Sequence, residues 1–448
     1  MNKKENNIDN WNDDVLNRKD IGIFLEDIIK SQKREYILTI DSPWGTGKSF
    51  LIERLISDLE KTHTCIKYNA WEEDFSESPF LSFITKINQS VTEILTTEDN
   101  RKKIQDLSRK VGKVLLGTLP ILLKGGLRYL VGDQGVDAIK NLVSEDSESD
   151  TIDEIGDWAE NQIKLQLEKQ NSLLEFKKTL SVILNEIEKN NKELPLIIFI
   201  DDLDRCRPNF AVELLETIKH MFNIENLVFV IGVDIEQLCH SIKVIYGSGI
   251  DAETYLRKIL TNQFRLPKLE HLPFAKLLNI KQPLNDNKYF HFENSPKVDI
   301  FATFCQIFNL SLRDQEQIFQ KIQLIELTAS EKIHFVLLIF LAMCSFKYNN
   351  LYGKLRDKKI HLLMLYQEVS SIISIRNLPF SLSNAINNYH LYFEDRASYL
   401  SNYKNYQQSV KSGSIDNRIN YNIINHLLEN SLSINEYINY VDLSSNFS

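Results

Sequence analysis

The stretch Tyr36-Ile37-Leu38-Thr39-Ile40-Asp41-Ser42-Pro43-Trp44-Gly45-Thr46-Gly47-Lys48-Ser49-Phe50 decides the fold. Its first six residues form an apolar run short enough for a buried strand. Beyond the glycines, Leu51, Ile52, Leu55, Ile56 and Leu59 recur at helical spacing, which predicts a helix over 49–60. A strand, a glycine-rich turn and a helix in that order is the setting in which Gly-Lys-Ser reads as a phosphate-binding loop. Glycines let backbone N–H groups close around phosphate oxygens, and the helix N-terminus adds partial positive charge. Residues Ser42, Pro43, Trp44, Gly45, Thr46, Gly47, Lys48, Ser49 and Phe50 are therefore expected to line a nucleotide. Lys48 would reach the β- and γ-phosphates and take part in catalysis, and the Ser49 hydroxyl would coordinate Mg2+. Ser42 stands where the strict pattern G-x-x-x-x-G-K-[ST] has its first glycine, so an altered turn is one expectation there.

Ile197-Ile198-Phe199-Ile200-Asp201-Asp202 is the second informative run. Four apolar residues ending in two acids place both carboxylates at the C-terminal edge of a sheet, where ligands of open α/β folds bind. Asp201 is expected to hold the metal ion. Asp202 is expected to orient or deprotonate an attacking water, against the alternative of an acidic pair that caps the next helix.

Further strands are predicted at 64–69, 194–201, 227–234 and 263–266, with helices at 21–30, 210–220 and 235–246. Strands alternating with helices indicate an α/β fold with a mostly parallel sheet. A long helical stretch at about 79–190 falls between two strands of that sheet and reads as an insertion. It contains the acidic patch Ser144-Glu145-Asp146-Ser147-Glu148-Ser149-Asp150, a solvated loop in its simplest reading. The expected organisation is a flexible N-terminus at 1–20, a core at 21–270 and a helical C-terminal domain at 271–448, in which no strand run stands out.

With 25% charged residues, 43% hydrophobic residues and a net charge of −9, the chain has an ordinary globular composition. Nothing in that balance indicates a nucleic-acid-binding surface. The five cysteines are scattered without C-x-x-C spacing, which argues against a zinc site or disulfide framework and fits a reducing, cytoplasmic location. The polar start of the chain lacks a secretory h-region. The most apolar segment, 111–132, is broken by Lys113, Pro120, Lys124 and Arg128. It is read as a buried or partner-facing helix, or as an element lying on a membrane surface, and not as a span. The nine histidines show no metal-like spacing.

Several residues admit two readings. Asp234 ends a strand, where it would sense nucleotide or cap the following helix. Asp204, Arg205 and Arg207 form either a charged turn or, through Arg205, a phosphate or subunit contact. Ser311 and Asp314 resemble a capping box. Arg313 then lies in a first helical turn, against the helix dipole, as a solvated side chain or as a ligand for nucleotide phosphates.

Together these residues resemble the KAP family of P-loop NTPases. The similarity is carried by Pro43-Trp44-Gly45-Thr46-Gly47-Lys48-Ser49, Tyr68-Asn69-Ala70-Trp71, and Ile198-Phe199-Ile200-Asp201-Asp202-Leu203-Asp204-Arg205-Cys206. It continues in Phe229-Val230-Ile231-Gly232-Val233-Asp234, Tyr255-Leu256-Arg257-Lys258-Ile259, Leu266-Pro267 and Ser311-Leu312-Arg313, spanning about 20–325. The resemblance implies a core related to the AAA+ and STAND folds, with one strand between the two motif strands. It implies ATP as ligand and favours ATP over GTP. Family members often insert membrane helices between the two motifs, and bacterial members include proteins that exclude phage. The expected function is a Mg2+-dependent ATPase that acts as a switch or assembly factor on another copy or on an effector protein, in anti-phage defence. A nucleic-acid-directed motor or nuclease-associated subunit, a non-hydrolysing interaction protein and a phosphotransferase are the alternatives.

Overall fold

The computed structural model describes residues 11–94 (77 excepted), 192–220, 224–290, 296–373, 382–395 and 432–445, with a few positions in 177–188 and 397–427. The expected segments 111–132 and 144–150 lie outside the described residues.

The chain divides into two compact units, one of Met1–Asn12, Lys19–Pro43 and Lys48–Leu266, the other of Asp13–Arg18, Trp44–Gly47 and Pro267–Ser448. The second takes in the tip of the glycine loop.

In the first unit, helix α1 (Arg18–Lys30) precedes strand β1 (Tyr36–Asp41), α2 (Lys48–Leu59) and β2 (His63–Asn69). Short α3 (Ala70–Glu73), α4 (Pro79–Ile94) and β3 (Glu193–Asp201) follow. Then come α5 (Pro208–His220), β4 (Leu227–Val233), α6 (Ile235–Tyr246), α7 (Ala252–Arg257) and β5 (Asn262–Arg265). All five strands run parallel, in the order β2-β3-β4-β1-β5. Strand β4 thus lies between the two motif strands, as the family resemblance implied.

The strands are apolar because both faces are covered. Side chains alternate along a strand, so Leu196, Ile198 and Ile200 of β3 enter one core with Phe83, Leu214 and Ile218. Ile197 and Phe199 enter the opposite core with Leu25, Leu51 and Leu55. The predicted stripe Leu51, Ile52, Leu55, Ile56 and Leu59 is the buried face of α2. Trp11, in the stretch expected to be flexible, is 7% exposed and donates its indole N–H to Asp58 Oδ2 at 2.7 Å. Within that stretch Trp11 is packed, and Arg18 opens α1.

The second unit contains helices α8 (His271–Lys281), α9 (Lys297–Ile307), α10 (Leu312–Thr328) and α11 (Phe335–Lys347). After them come α12 (Asn349–Arg356), α13 (Leu362–Ile372), α14 (Leu382–Glu394) and α15 (Ile434–Ser445). Helix α11 is apolar all round, and each residue from Phe335 to Cys344 is buried in this unit's core. The aromatic run Tyr389–Phe393 feeds the same core, with Tyr389 fully buried. One local correction concerns strands. Tyr289–Phe290 (β6) and Ile333–His334 (β7) pair in parallel, and at two residues each they are too short to leave a periodic signal. All five cysteines are free. Among the described residues, no helix is long and apolar enough to cross a membrane.

Candidate functional site

The loop after β1 turns on two glycines with positive φ, Gly45 at 72° and Gly47 at 91°. Both lie in the left-handed region that side chains disfavour. Ser42 is absent from the positive-φ residues, so serine in place of the first glycine imposes no backbone strain. Its N–H donates to the Val233 carbonyl at 3.1 Å, which continues the β1–β4 ladder by one residue.

Lys48 opens α2 and is 7% exposed. Its Nζ donates to the Ser42 carbonyl at 3.2 Å and lies 3.9 Å from Asp204 Oδ2. The ammonium is therefore held between that carbonyl and a carboxylate whose side chain is 1% exposed. Sequence reading left Asp204 in a charged turn; folding buries it opposite Lys48. Ser49 is exposed, and its hydroxyl has no hydrogen bond among the described residues.

Asp201 ends β3 at 6% exposure. Its Oδ1 accepts the Asp202 N–H at 2.9 Å and takes no second hydrogen bond among the described residues. The space for this carboxylate comes from Gly232 on β4, where a Cβ would stand 2.7 Å from Oδ1. Asp202 adopts φ 59°, ψ 23° ahead of the 3-10 turn Leu203–Arg205 and makes no capping bond, so it is not a helix cap. Arg205 Nε forms an ion pair with its Oδ1 at 3.1 Å, and the same guanidinium sits 5.9 Å from the Trp71 ring. Burial pushes the Asp202 carboxyl above its ordinary range, and the charge of Asp201 adds to this, while Arg205 opposes it. Arg207 is structural: its Nε donates to Asp74 Oδ1 at 3.0 Å and its backbone N–H to Oδ2 at 2.9 Å.

Asp234 caps α6, its Oδ1 accepting from the N–H groups of Glu236 (3.1 Å) and Gln237 (3.3 Å). Burial raises its pKa. The capping reading is thus realised, and the second carboxylate oxygen accepts no hydrogen bond among the described residues. Asp41, which the sequence did not single out, joins three strand ends. Its Oδ1 accepts from Ile235 N–H (3.1 Å), its Oδ2 from Arg265 Nε (3.0 Å), and its carbonyl from Leu266 N–H (3.0 Å). The available signal was a lone carboxylate closing an apolar strand. Beside Asp41, Pro43 and Asp234 opens a cavity of about 710 Å3, walled also by His240, Arg257 and Arg265.

In the second unit, Ser311 and Asp314 form the expected capping box at the start of α10. Leu312 N–H donates to the Gly45 carbonyl at 2.8 Å. A Cβ on Gly45 would meet Ser311 Oγ at 2.7 Å and Arg313 Cβ at 3.3 Å. Arg313 therefore stands beside the loop tip, exposed, with no ion pair among the described residues.

The chain is similar to several known proteins. The uncharacterized protein MJ0182 of Methanocaldococcus jannaschii is 28% identical over 189 residues, which is 38% of this chain and 90% of that protein. Among solved structures, Cdc6p from Pyrobaculum aerophilum aligns at a TM-score of 0.36 and 11% identity, over 96% of this chain and 84% of its own. The ORC2 protein of Aeropyrum pernix, in its ADPNP–ADP complexes, aligns at 0.33 and 9%, over 96% and 94%. The KAP family P-loop domain matches residues 23–332, well over half of the sequence and all of the motifs above. With its phosphate loop, its paired carboxylates and the strand between them in the expected order, the chain belongs to the KAP family of P-loop NTPases.

Proposed function

We propose that this protein binds ATP with Mg2+ at the Ser42–Phe50 loop and hydrolyses it. The observation that carries the reading is the position of Lys48, buried between the Ser42 carbonyl and Asp204 in the turn that follows β3. The donor set fits the two ligands. Ser49 has an unused hydroxyl and Asp201 an underused carboxylate in a space kept open by glycine. That pattern suits Mg2+, which takes one or two protein oxygens and completes its shell with phosphates and water.

In this reading Ser49 and Asp201 hold the cation, which neutralises phosphate charge when bound. Lys48 carries the β- and γ-phosphates. Asp202 accepts a proton from the attacking water as its oxygen bonds to the γ-phosphorus and the bond to the bridging oxygen breaks. Arg205 orients the Asp202 carboxylate, and burial raises its basicity. Asp234 and Arg313 are placed to respond to the nucleotide, Arg313 through its seat beside Gly45. The absence of Ser42 from the positive-φ residues supports a loop that holds its turn without the first glycine.

Coupling of this cycle to another copy or an effector protein, in phage defence, is inferred from the family resemblance. Phosphate release from ATP and Mg2+ tests the chemistry. Lys48→Ala is expected to abolish turnover. Asp202→Asn is expected to lower kcat by about 10²–10⁴-fold with little change in ATP affinity. Wild-type turnover in either variant refutes the assignment. Phage plating on cells carrying wild type or Lys48→Ala tests the biological role, and equal protection refutes it.

A further inference from the structure

Arg18 is the first residue of α1, where a positive charge opposes the helix dipole. It is nevertheless 3% exposed. A buried cation without a carboxylate partner is costly, and Arg18 has no ion pair within 4 Å among the described residues. Its Nε is buried and without a hydrogen-bond partner. Its one hydrogen bond among the described residues is a long one, from Nη2 to the Thr46 carbonyl at 3.5 Å. Burial pulls the guanidinium below its ordinary range, and Asp14 opposes this through space.

Thr46 lies between the two positive-φ glycines of the phosphate loop. In a trans peptide the C=O of one residue and the N–H of the next point in opposite directions. The Gly45 carbonyl is held by Leu312 N–H, and the Thr46 carbonyl faces Arg18. With the Thr46 carbonyl drawn towards Arg18, the N–H of Gly47 in the same peptide is turned the opposite way. Backbone N–H groups in such a loop are what contact phosphate oxygens.

We propose that Arg18 is a positioning residue for the phosphate loop, holding the Thr46 carbonyl from behind so that the Gly47 N–H is aimed at the β-phosphate of a nucleoside di- or triphosphate. The buried charge polarises the same peptide and favours an anion on its far side. The fork of arginine suits this role; lysine is shorter by about one bond and has no fork. With the contact already at 3.5 Å, a lysine ammonium falls out of reach.

This inference rests on the nucleotide reading above, and binding measurements separate the two. ATP and ADP affinity is measured by calorimetric titration of the full chain as wild type, Arg18→Gln and Arg18→Lys, with the melting midpoint of each protein without nucleotide. Arg18→Gln is expected to weaken ATP and ADP alike by about tenfold, the scale of one charge-assisted hydrogen bond. Arg18→Lys, which keeps the buried charge, is expected to weaken both severalfold at an unchanged melting midpoint. It carries the test if the glutamine variant does not fold. Wild-type affinity in Arg18→Lys overturns the assignment, as does a loss confined to ATP. A wild-type chain that binds neither nucleotide overturns the nucleotide reading and this one with it.

Discussion

Replacement of Gly232 by alanine probes whether Asp201 is held where a Mg2+-binding carboxylate has to be. Gly232 lies on β4 opposite Ile40 of β1. A Cβ at Gly232 would stand 2.5 Å from Ile52 Cδ1 and 2.7 Å from Asp201 Oδ1. Carbon atoms prefer separations of about 3.5–4.0 Å, so Ile52 must retreat by roughly 1 Å and the carboxylate by several tenths. Ile52 sits in the packed layer with Leu51 and Leu55, and overpacking of that kind costs about 1–3 kcal/mol. The reduced entropy of the unfolded chain returns about 0.5–1 kcal/mol. The net expectation is a loss of roughly 1–2 kcal/mol, equivalent to a fall of about 2–8 °C in the melting midpoint for a unit of this size. The chemical effect is separate. A 1 Å misplacement costs on the order of 100-fold in rate, so a smaller shift of Asp201 is expected to lower kcat by about tenfold. Phosphate release across a Mg2+ titration should show a raised Mg2+ requirement, with Mg2+-free ATP binding unchanged. A Gly232→Ala protein with wild-type melting and wild-type Mg2+ dependence would refute the packing of Asp201 against β4.

Two further outcomes concern stability. The His271 ring is buried, and Gln315 Nε2 lies 2.6 Å from its Nδ1, an arrangement that suits an unprotonated ring nitrogen. Burial lowers the folded pKa below the unfolded value, so the unfolded chain binds the extra proton. This contribution is complete above about pH 6.5 and is lost as the pH falls through the folded value. Urea midpoints at about pH 7.5 and about pH 5.5 should therefore differ less in His271→Gln than in wild type; an equal difference would exclude His271 as a source of acid sensitivity. At the strand ends, Arg265 has an 81% exposed side chain, so Arg265→Ala should cost about 0–1 kcal/mol. Asp41→Ala strands the Ile235 N–H and should cost about 1–3 kcal/mol, and equal losses in the two variants would show that the Ile235 bond contributes nothing.

Much of the core was legible because its signals are local. An apolar run followed by glycines and Lys48-Ser49 can only be a strand, a tight loop and a helix start, and β1 and α2 lie where those residues put them. The Asp201-Asp202 pair was readable from the strand that precedes it. Asp234 and Ser311 carried the common chemistry of caps, and both are caps. The ladder of β6 and β7 was not legible, because two residues carry no period.

By itself the sequence determined the strand–loop–helix unit, the two carboxylates at the end of β3 and the parallel α/β class, since these follow from backbone conformation and hydrophobic spacing within a few residues. Only the tertiary structure decided which distant groups converge on them. Asp204 faces Lys48, Gly232 makes room for Asp201, Asp41 ties β1 to α6 and β5, and Arg18 reaches the Thr46 carbonyl. Each of those pairings depends on strand order and helix packing. They join residues tens to hundreds of positions apart, and no local periodicity encodes such a separation.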